Sequence, residues 1–209
     1  EIETMSKADK KALQSKRLVE IVKYAYENQK PYRAKMDAIG LKPEDIQSID
    51  DIAKLPFTSK KDLRDYYPWG MLSAPLSDIV RIHASSGTTG KPIVAGYTAN
   101  DLKIWEEVGA RCLAAFGMDK NDVFHVSYGY GLFTGGLGAH GAGQNLGATV
   151  IPMSVGNTEK QLLMMHDLGA TAIACTPSYA LYLTEALEKS GIPREEFKLR
   201  VGVLGAEPW

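Results

Sequence analysis

One loop organises this chain: Ser85-Ser86-Gly87-Thr88-Thr89-Gly90-Lys91-Pro92. It brings hydroxyl side chains, two glycines and a lysine together within eight positions. Backbone N–H groups next to glycine, hydroxyl donors and a mobile cation can together surround an anion, and a polyphosphate is the expected ligand. The alternative is a flexible Ser/Gly/Thr connection that binds nothing. Apolar runs on both sides favour the anion cradle, because strands would hold the ends of the loop fixed.

The flanking segments decide which kind of phosphate loop this is. Residues 79–84 and 93–97 are apolar and rich in β-branched side chains, so we predict a strand on each side. A Walker loop places its lysine at the start of a helix and follows it with a serine or threonine that binds the metal. Here Pro92 follows Lys91, and a predicted strand comes next. We therefore predict a strand–loop–strand cradle of another type.

The second half of the chain alternates between strand and helix patterns. We predict a helix from Thr98 to Gly117, strands at 123–128, 149–153, 170–175 and 199–204, and helices at 134–145, 159–168 and 177–189. Thr176 and Pro177 are suited to the cap and the first position of the last helix. This alternation with short connections predicts an α/β fold, with a parallel sheet covered by helices on both faces.

The N-terminal part of the chain shows helix patterns without the alternating strands of the second half. We predict an amphipathic helix over 7–28, a short helix that ends at Gly40, further turns near 50–55, and a helix over 59–66 capped by Thr58. The predicted domain organisation is a helical lead-in, residues 1–78, and an α/β nucleotide-binding core, residues 79–209.

Parallel sheets bind ligands at the carboxyl ends of their strands. This rule selects the loops at 129–136, 154–157, 176–178 and 205–208. The first loop holds Tyr130 and Phe133 among glycines. The two rings could line an apolar pocket or only plug the end of the sheet, and both interpretations stay open.

Composition narrows the class of protein. With 24 basic and 25 acidic residues the net charge of the 209-residue chain is −1, which does not favour binding to nucleic acid or an anionic membrane. No apolar run is long enough for a membrane span, and we expect a cytoplasmic protein. Cys112 and Cys175 lie in apolar surroundings, so we expect two buried thiols and neither a disulfide nor a zinc site.

Two further patterns suggest other chemistry and are set aside. Residues 136–141 match Gly-x-Gly-x-x-Gly, but the dinucleotide fingerprint must begin directly after its strand, and the 129–136 loop intervenes. Helix-packing glycines are the better explanation. The four histidines lack the spacing of metal ligands on one helix face, and no serine lies in a Gly-x-Ser-x-Gly elbow.

The Ser85–Pro92 loop resembles the phosphate loop of the adenylate-forming superfamily, which includes acyl-CoA synthetases, non-ribosomal peptide adenylation domains and luciferases. Further stretches narrow the resemblance to the phenylacetate–CoA ligase family and extend it over nearly the whole chain. They are Leu55-Pro56-Phe57-Thr58, Asp62-Leu63-Arg64, Arg81-Ile82-His83-Ala84, Gly96-Tyr97-Thr98, Tyr128-Gly129-Tyr130-Gly131-Leu132-Phe133-Thr134-Gly135-Gly136 and Gly205-Ala206-Glu207-Pro208-Trp209.

The resemblance implies that ATP and an arylacetic acid form an acyl adenylate and pyrophosphate, after which CoA displaces AMP to give a thioester. The enzyme's part in adenylation is positioning and charge stabilisation, because adenylate supplies the leaving group that a carboxylate lacks. The ATP-binding residues implied are Ser85, Ser86, Gly87, Thr88, Thr89, Gly90 and Lys91, with Gly205, Ala206, Glu207 and Pro208 bordering the adenine. Within them, Ser86, Thr88, Thr89 and Lys91 would contact the β- and γ-phosphates. Lys91 would be the catalytic, phosphate-positioning residue, and Tyr130, Phe133 and Gly136 would shape the aryl pocket.

Part of the family pattern has no counterpart in this sequence. Family members are roughly twice this length, and their magnesium-holding acid, ribose-binding aspartate and C-terminal lysine are missing here. We expect an N-terminal fragment that is inactive alone, with most Mg²⁺ ligands outside it; a homodimer is a further expectation. Two alternatives remain: an adenylating enzyme for another acid or acceptor, such as a coenzyme F390 synthetase, and a non-catalytic nucleotide-binding domain.

Overall fold

The computed structural model describes residues 2–87 and 90–208. The described chain divides into two compact units, one ending at Thr98 and the other beginning at Ala99. Each unit has its own hydrophobic core. The sequence-based division after residue 78 stays a prediction about domains.

The helical start of the first unit is confirmed. Helix α1 spans Lys7–Asn28, and the hydroxyl of its cap, Ser6, accepts a hydrogen bond from the Asp9 N–H. Helix α2, Lys30–Ala38, follows after a single residue. Pro31 therefore opens the second helix, in the first turn, where its missing N–H costs nothing.

Short helical pieces complete this part of the chain. They are 3₁₀ turns at Ile2–Thr4, Pro43–Asp45, Ile49–Lys54 and Leu76–Asp78, and helix α3 at Lys60–Asp65. The predicted cap Thr58 is wrong by one position. Ser59 caps α3, because the Asp62 carboxylate accepts hydrogen bonds from both the N–H and the hydroxyl of Ser59. The core beneath these helices centres on Val22, Met36 and Ile46.

The predicted strand–loop–strand unit is an antiparallel hairpin at the end of the first unit. Strand β1 spans Ile79–Ala84 and strand β2 spans Val94–Thr98. His83 in β1 is 2% exposed, and its ring meets Tyr97 edge-on at a centroid distance of 5.6 Å. The buried His83 ring, packed against Tyr97, anchors the strand that leads into the loop.

The described residues of the second unit confirm the predicted α/β class. They form a four-stranded parallel sheet in the order β4-β3-β5-β6. In chain order the elements are α4 (Ala99–Ala115), β3 (Val123–Val126), α5 (Thr134–Leu146), β4 (Thr149–Ile151), α6 (Thr158–Asp167), β5 (Ala172–Cys175), α7 (Pro177–Ser190) and β6 (Val201–Leu204). The strands are shorter than predicted, because the residues at their ends belong to loops.

Helices cover both faces of this sheet, as predicted. On one face Phe124, Val126 and Ala174 pack with Leu113 of α4 and Ala142 of α5. On the other face Ile151, Ile173 and Cys175 pack with side chains of α6 and α7, namely Leu162, Met165 and Leu183. Alternate residues of each strand therefore serve opposite layers of core.

A polar clamp closes the amino edge of the sheet. The buried Asp122 carboxylate accepts hydrogen bonds from the Thr171 hydroxyl at 2.6 Å and from Arg200 Nε at 3.1 Å. Arg200 also donates to the Gly117 carbonyl at 2.9 Å. Burial pushes the pKa of Asp122 upward, but the hydrogen bonds, that of Thr171 first, outweigh it, so the pKa lies below its usual value. The clamp ties the edge strand β6 to the centre of the sheet.

The glycines of α5 are close-packing positions, which supports their interpretation as helix-packing residues. A Cβ at Gly138 would lie 2.8 Å from the Trp105 ring of α4, and one at Gly141 would lie 2.8 Å from Glu106 Cγ. A Cβ at Gly109 of α4 would lie only 2.6 Å from Ala142 Cβ. Helices α4 and α5 therefore approach each other closely through small residues.

The prediction that both thiols are buried is correct for Cys175 and wrong for Cys112. Both cysteines are free and Cys175 is buried, but Cys112 on α4 is exposed. Burial raises the pKa of the Cys175 thiol to about 11.

The close approach of α4 and α5 leads to a prediction about the free energy of unfolding. Gly109→Ala should lower the free energy of unfolding by about 1–2 kcal/mol, since overpacking against Ala142 exceeds the gain in helix propensity. Urea unfolding measures this change. Adding Ala142→Gly should recover part of the loss by removing the opposing methyl group. A double variant no more stable than Gly109→Ala would show that this contact is not the cause.

Candidate functional site

The ends of the Ser85–Pro92 loop are fastened by a pair of hydrogen bonds. The Ser85 N–H donates to the Ile93 carbonyl at 2.9 Å, and the Ile93 N–H donates to the Ser85 hydroxyl at 2.9 Å. We call this Ser85–Ile93 pair the neck of the loop. The Ser85 hydroxyl therefore helps to hold the two ends of the loop together. The neighbouring Ser86 is exposed and lies beyond this neck.

Glycine is required at the turn of the loop. Gly87 has φ +67°, and a Cβ there would meet the Gly90 carbonyl oxygen at 3.0 Å. The Gly90 N–H in turn donates to the Gly87 carbonyl at 3.0 Å. Thr88 and Thr89, both predicted to contact phosphate, lie outside the described residues.

Lys91 has an aromatic neighbour in its own unit. Its ammonium nitrogen lies 5.4 Å from the centre of the Tyr67 ring, within the range of a cation–π interaction. Both side chains are exposed. The contact restricts where the lysine points and leaves the ammonium accessible to an anion.

The Gly205–Pro208 segment follows β6 at the carboxyl edge of the sheet in the second unit. Gly205 N–H and the Tyr128 hydroxyl both approach the Cys175 carbonyl, at 3.4 and 2.7 Å. The Glu207 carboxylate accepts a 2.5 Å hydrogen bond from the Ser178 N–H at the start of α7. Hydrogen bonds from Ser178, its hydroxyl first and its N–H next, hold the pKa of Glu207 below its usual value. Glu207 is thus a fixed negative charge at this edge.

The predicted aryl residues lie in the loop after β3 and at the start of α5. Tyr130 packs against the core, and its hydroxyl lies 3.3 Å from His140 Nδ1. Burial raises the pKa of Tyr130 to about 12. Phe133 is 56% exposed. A Cβ at Gly136 would lie 2.5 Å from the Gly129 carbonyl oxygen, so α5 can begin this close to the loop only with glycine there. Whether these residues bind an aryl group stays a prediction.

A cavity of about 320 Å³ opens at the same edge of the sheet. Its wall combines hydroxyl and aromatic side chains with one valine, from the loops after β3, β4 and β5 and from α7. These residues are Ser127, Tyr128, Val155, Thr176, Ser178, Tyr179 and Tyr182. Tyr128 connects the cavity with the predicted aryl residues, since its ring packs beside Gly135. The size and lining fit the organic part of a small substrate.

A buried polar network lies behind this cavity. The Gln161 amide oxygen lies 2.7 Å from both His125 Nε2 and the Ser127 hydroxyl. The Gln161 amide nitrogen donates to the carbonyls of Ser154 and Gly156, at 2.8 and 3.0 Å. Burial lowers the pKa of His125, so its ring is neutral at neutral pH.

Two kinds of feature are absent from residues 2–87 and 90–208. No group of three or more histidine, cysteine, aspartate or glutamate side chains in these ranges could hold a metal ion. Likewise, no helix within the same ranges is both long and apolar enough to cross a membrane.

Curated relatives match the chain from end to end. The phenylacetate-coenzyme A ligase of Thermus thermophilus is 49% identical over 209 residues, which is 100% of this chain and 47% of the relative. The Escherichia coli enzyme of the same name is 53% identical over 209 residues, again all of this chain and 48% of the relative. Over its whole length the chain is therefore similar to phenylacetate-coenzyme A ligases. It spans about half the length of these relatives, and no family model matches it.

Solved structures agree with the homology. A 2-hydroxyisobutyryl-CoA ligase in complex with 2-HIB-AMP and CoA superposes with a TM-score of 0.91 at 28% identity, covering 98% of this chain and 45% of that one. An open conformation of 2-hydroxyisobutyryl-CoA ligase with the same ligands gives 0.90 at 27% identity, covering 98% of this chain and 49% of that one. The resemblance to adenylate-forming CoA ligases inferred from sequence motifs is therefore confirmed.

The structure places the predicted site residues in two groups, one in each unit. The loop residues belong to the first unit, and the adenine and aryl residues belong to the second. Sequence reasoning missed Tyr67, Gln161 and the α7 tyrosines that line the cavity. A signal existed only for Gln161, which lies on the buried stripe of α6 with Leu162 and Met165.

The Lys91–Tyr67 contact predicts a change in the reactivity of one lysine. Tyr67→Leu should raise the rate at which an amine reagent modifies Lys91 by about 2–5-fold, since an exposed cation–π contact contributes about 0.5–1 kcal/mol. Peptide mass spectrometry would follow the modification of Lys91. Tyr67→Phe is the matched control and should leave the rate unchanged. Equal rates in all three proteins would contradict a role for the ring.

The partly buried side chain of Tyr130 leads to a prediction of lower stability at alkaline pH. Because the folded-state pKa is raised from 10.0 to about 12, the neutral hydroxyl contributes stability that is fully present below pH 10 and is lost as the pH rises to 12. Urea unfolding across this window should show wild type losing more stability than Tyr130→Phe. The other tyrosines titrate in both proteins and cancel. Parallel pH profiles would contradict the burial effect.

Proposed function

We propose that the whole protein activates an aryl carboxylic acid of the phenylacetate type with ATP and transfers the acyl group to CoA. The acyl adenylate is the intermediate, and pyrophosphate and AMP are released. This is an AMP-forming acid–thiol ligase reaction that serves the catabolism of phenylacetate. The observation that carries the proposal is the 49% and 53% identity, over all 209 residues, to phenylacetate-coenzyme A ligases.

The loop of the first unit is proposed to bind the phosphates of ATP. Its neck is closed by Ser85 and Ile93, which leaves Ser86, the threonines and Lys91 to meet the β- and γ-phosphates. As the acid attacks the α-phosphorus, negative charge accumulates on the departing pyrophosphate. A positioned ammonium group and hydroxyl donors stabilise that charge without reorganising. Lys91, directed by Tyr67, is the residue suited to this role.

The carboxyl edge of the second unit is proposed to hold the organic parts of the substrates. Gly205, Ala206, Glu207 and Pro208 would border the adenine. The fixed carboxylate of Glu207 is held by α7 and is available to accept hydrogen bonds. Tyr130, Phe133 and Gly136 would shape the aryl pocket, and the adjoining cavity beside Tyr128 offers apolar and aromatic surface to an acid.

The remaining ligands follow from the same proposal. Nucleotide and CoA are supported by the 2-hydroxyisobutyryl-CoA ligase structures, which contain an acyl adenylate and CoA. We also propose that Mg²⁺ accompanies ATP. Residues 2–87 and 90–208 contain no group of three or more histidine, cysteine, aspartate or glutamate side chains that could hold the ion, so most of its ligands are proposed to come from elsewhere. We also propose a cytoplasmic location and a homodimer.

The proposal predicts acid-dependent exchange of pyrophosphate into ATP by the whole protein. Phenylacetate should support exchange at least about tenfold better than acetate or 2-hydroxyisobutyrate, because the aromatic ring buries apolar surface that a short alkyl chain lacks. Lys91→Met should lower exchange about 100-fold. Binding of the acid alone should change less.

Lys103→Met is the matched control, since Lys103 is an exposed lysine on α4. It should exchange pyrophosphate at the wild-type rate. Failure with phenylacetate alongside success with short alkyl acids would overturn the aryl assignment. Equal rates in the Lys91 and Lys103 variants would overturn the phosphate role of the loop lysine.

A further inference from the structure

The side chain of Gln161 uses its full hydrogen-bonding capacity inside the protein. It is 0% exposed. Its two N–H groups donate to the carbonyls of Ser154 and Gly156, and its oxygen accepts from the Ser127 hydroxyl and from His125 Nε2. The orientation of the amide is unambiguous, because carbonyl oxygens can only accept. The Nε2 of His125 therefore carries the proton.

The segment that Gln161 holds has an unusual backbone. Ser154, Gly156 and Asn157 have φ values of 65°, 83° and 48°, all in the left-handed region. A serine in this region is uncommon and is held there by its surroundings, whereas asparagine tolerates the region more readily. The Gln161 amide fastens two of these three residues by their carbonyls, and Asn157 caps α6 through its side chain. One buried amide thus fixes a strained loop.

The same amide also fixes the opposite side of the cavity. Ser127, which follows β3, donates to Gln161, and Val155 lies inside the strained segment. Both residues line the 320 Å³ cavity. The Gln161 side chain, which does not itself line the cavity, therefore ties the β3 side of the wall to the β4 side, together with the hydrogen bond from the Ser154 N–H to the Val126 carbonyl.

We propose that Gln161 is a positioning residue that fixes Val155 and Ser127 and thereby sets which acids the cavity accepts. The specificity half of this proposal rests on the proposed function, because it requires that the cavity receives the acid. The positioning half rests on the hydrogen bonds alone. The two halves call for separate measurements.

The first measurement is hydrogen exchange on the 209-residue chain. Its probe is the Ser154 N–H, which donates to the Val126 carbonyl at the end of β3. Gln161→Met removes all four hydrogen bonds at similar volume and should speed exchange of this amide about tenfold. Gln161→Glu keeps the acceptor for His125 and Ser127 but cannot donate to both loop carbonyls, so it should also speed exchange. Lys160→Met, on the exposed side of the same helix, should change nothing.

The second measurement is pyrophosphate exchange by the whole protein with phenylacetate and with bulkier arylacetic acids. Gln161→Met should change the ratio of rates between acids about tenfold, whereas Lys160→Met should leave it at the wild-type value. A purely structural role would lower the rates with all acids by one common factor, and that result would overturn the specificity half.

The outcomes separate the two proposals. If Ser154 exchanges equally fast in Gln161→Met and Lys160→Met, the positioning role is wrong, whatever the activity. If wild type exchanges no pyrophosphate with any acid, the proposed function and the specificity half fall together, and hydrogen exchange still decides whether Gln161 holds the loop.

Discussion

Burial of the central strands on both faces is the constraint on which the second unit depends. Ala172 and Ala174 of β5 are fully buried in one layer of core, while Ile173 and Cys175 face the other. Slipping the strand by one residue would exchange the two layers, so the register is strongly specified. Once the register is fixed, the loops after the strands must emerge together at one edge. The cavity and the Gly205–Pro208 segment lie there because of this packing.

The hairpin of the first unit meets a different demand. A loop that binds an anion needs N–H and hydroxyl groups that make no hydrogen bonds within the protein. Its ends must nevertheless be held in fixed positions. The structure separates the two requirements along the loop. Two hydrogen bonds between Ser85 and Ile93 close the neck of the loop, and the buried His83 anchors the incoming strand. The exposed part beyond the neck, with Ser86 and Lys91, stays free for a ligand.

Sequence alone predicts the features that depend on neighbours along the chain. The Ile79–Ala84 strand, the Lys7–Asn28 helix and the Thr176 cap follow from local pattern and are confirmed. Ser59 displaced Thr58 as a cap because adjacent hydroxyls compete and only the final backbone geometry selects one. Strand order, the hydrogen-bond partners of Gln161 and the exposure of Cys112 depend on residues far along the chain, which spacing does not identify. The phosphate and aryl roles remain predictions, since motif resemblance names the residues without testing their contacts.

The Asp122 clamp has a consequence for synthesis on the ribosome. Asp122 and Arg200 are 78 positions apart, so the carboxylate emerges from the exit tunnel well before the guanidinium that neutralises it. Until then, burying Asp122 carries a desolvation cost that the Thr171 hydroxyl and the Asp119 N–H must offset without a cation, and β5 presents an unpaired edge. Nascent chains should therefore hold the sheet open at its amino edge until β6 arrives. Strand β6, which is made after the other three described strands of this sheet, is the one that permits the centre of the unit to close.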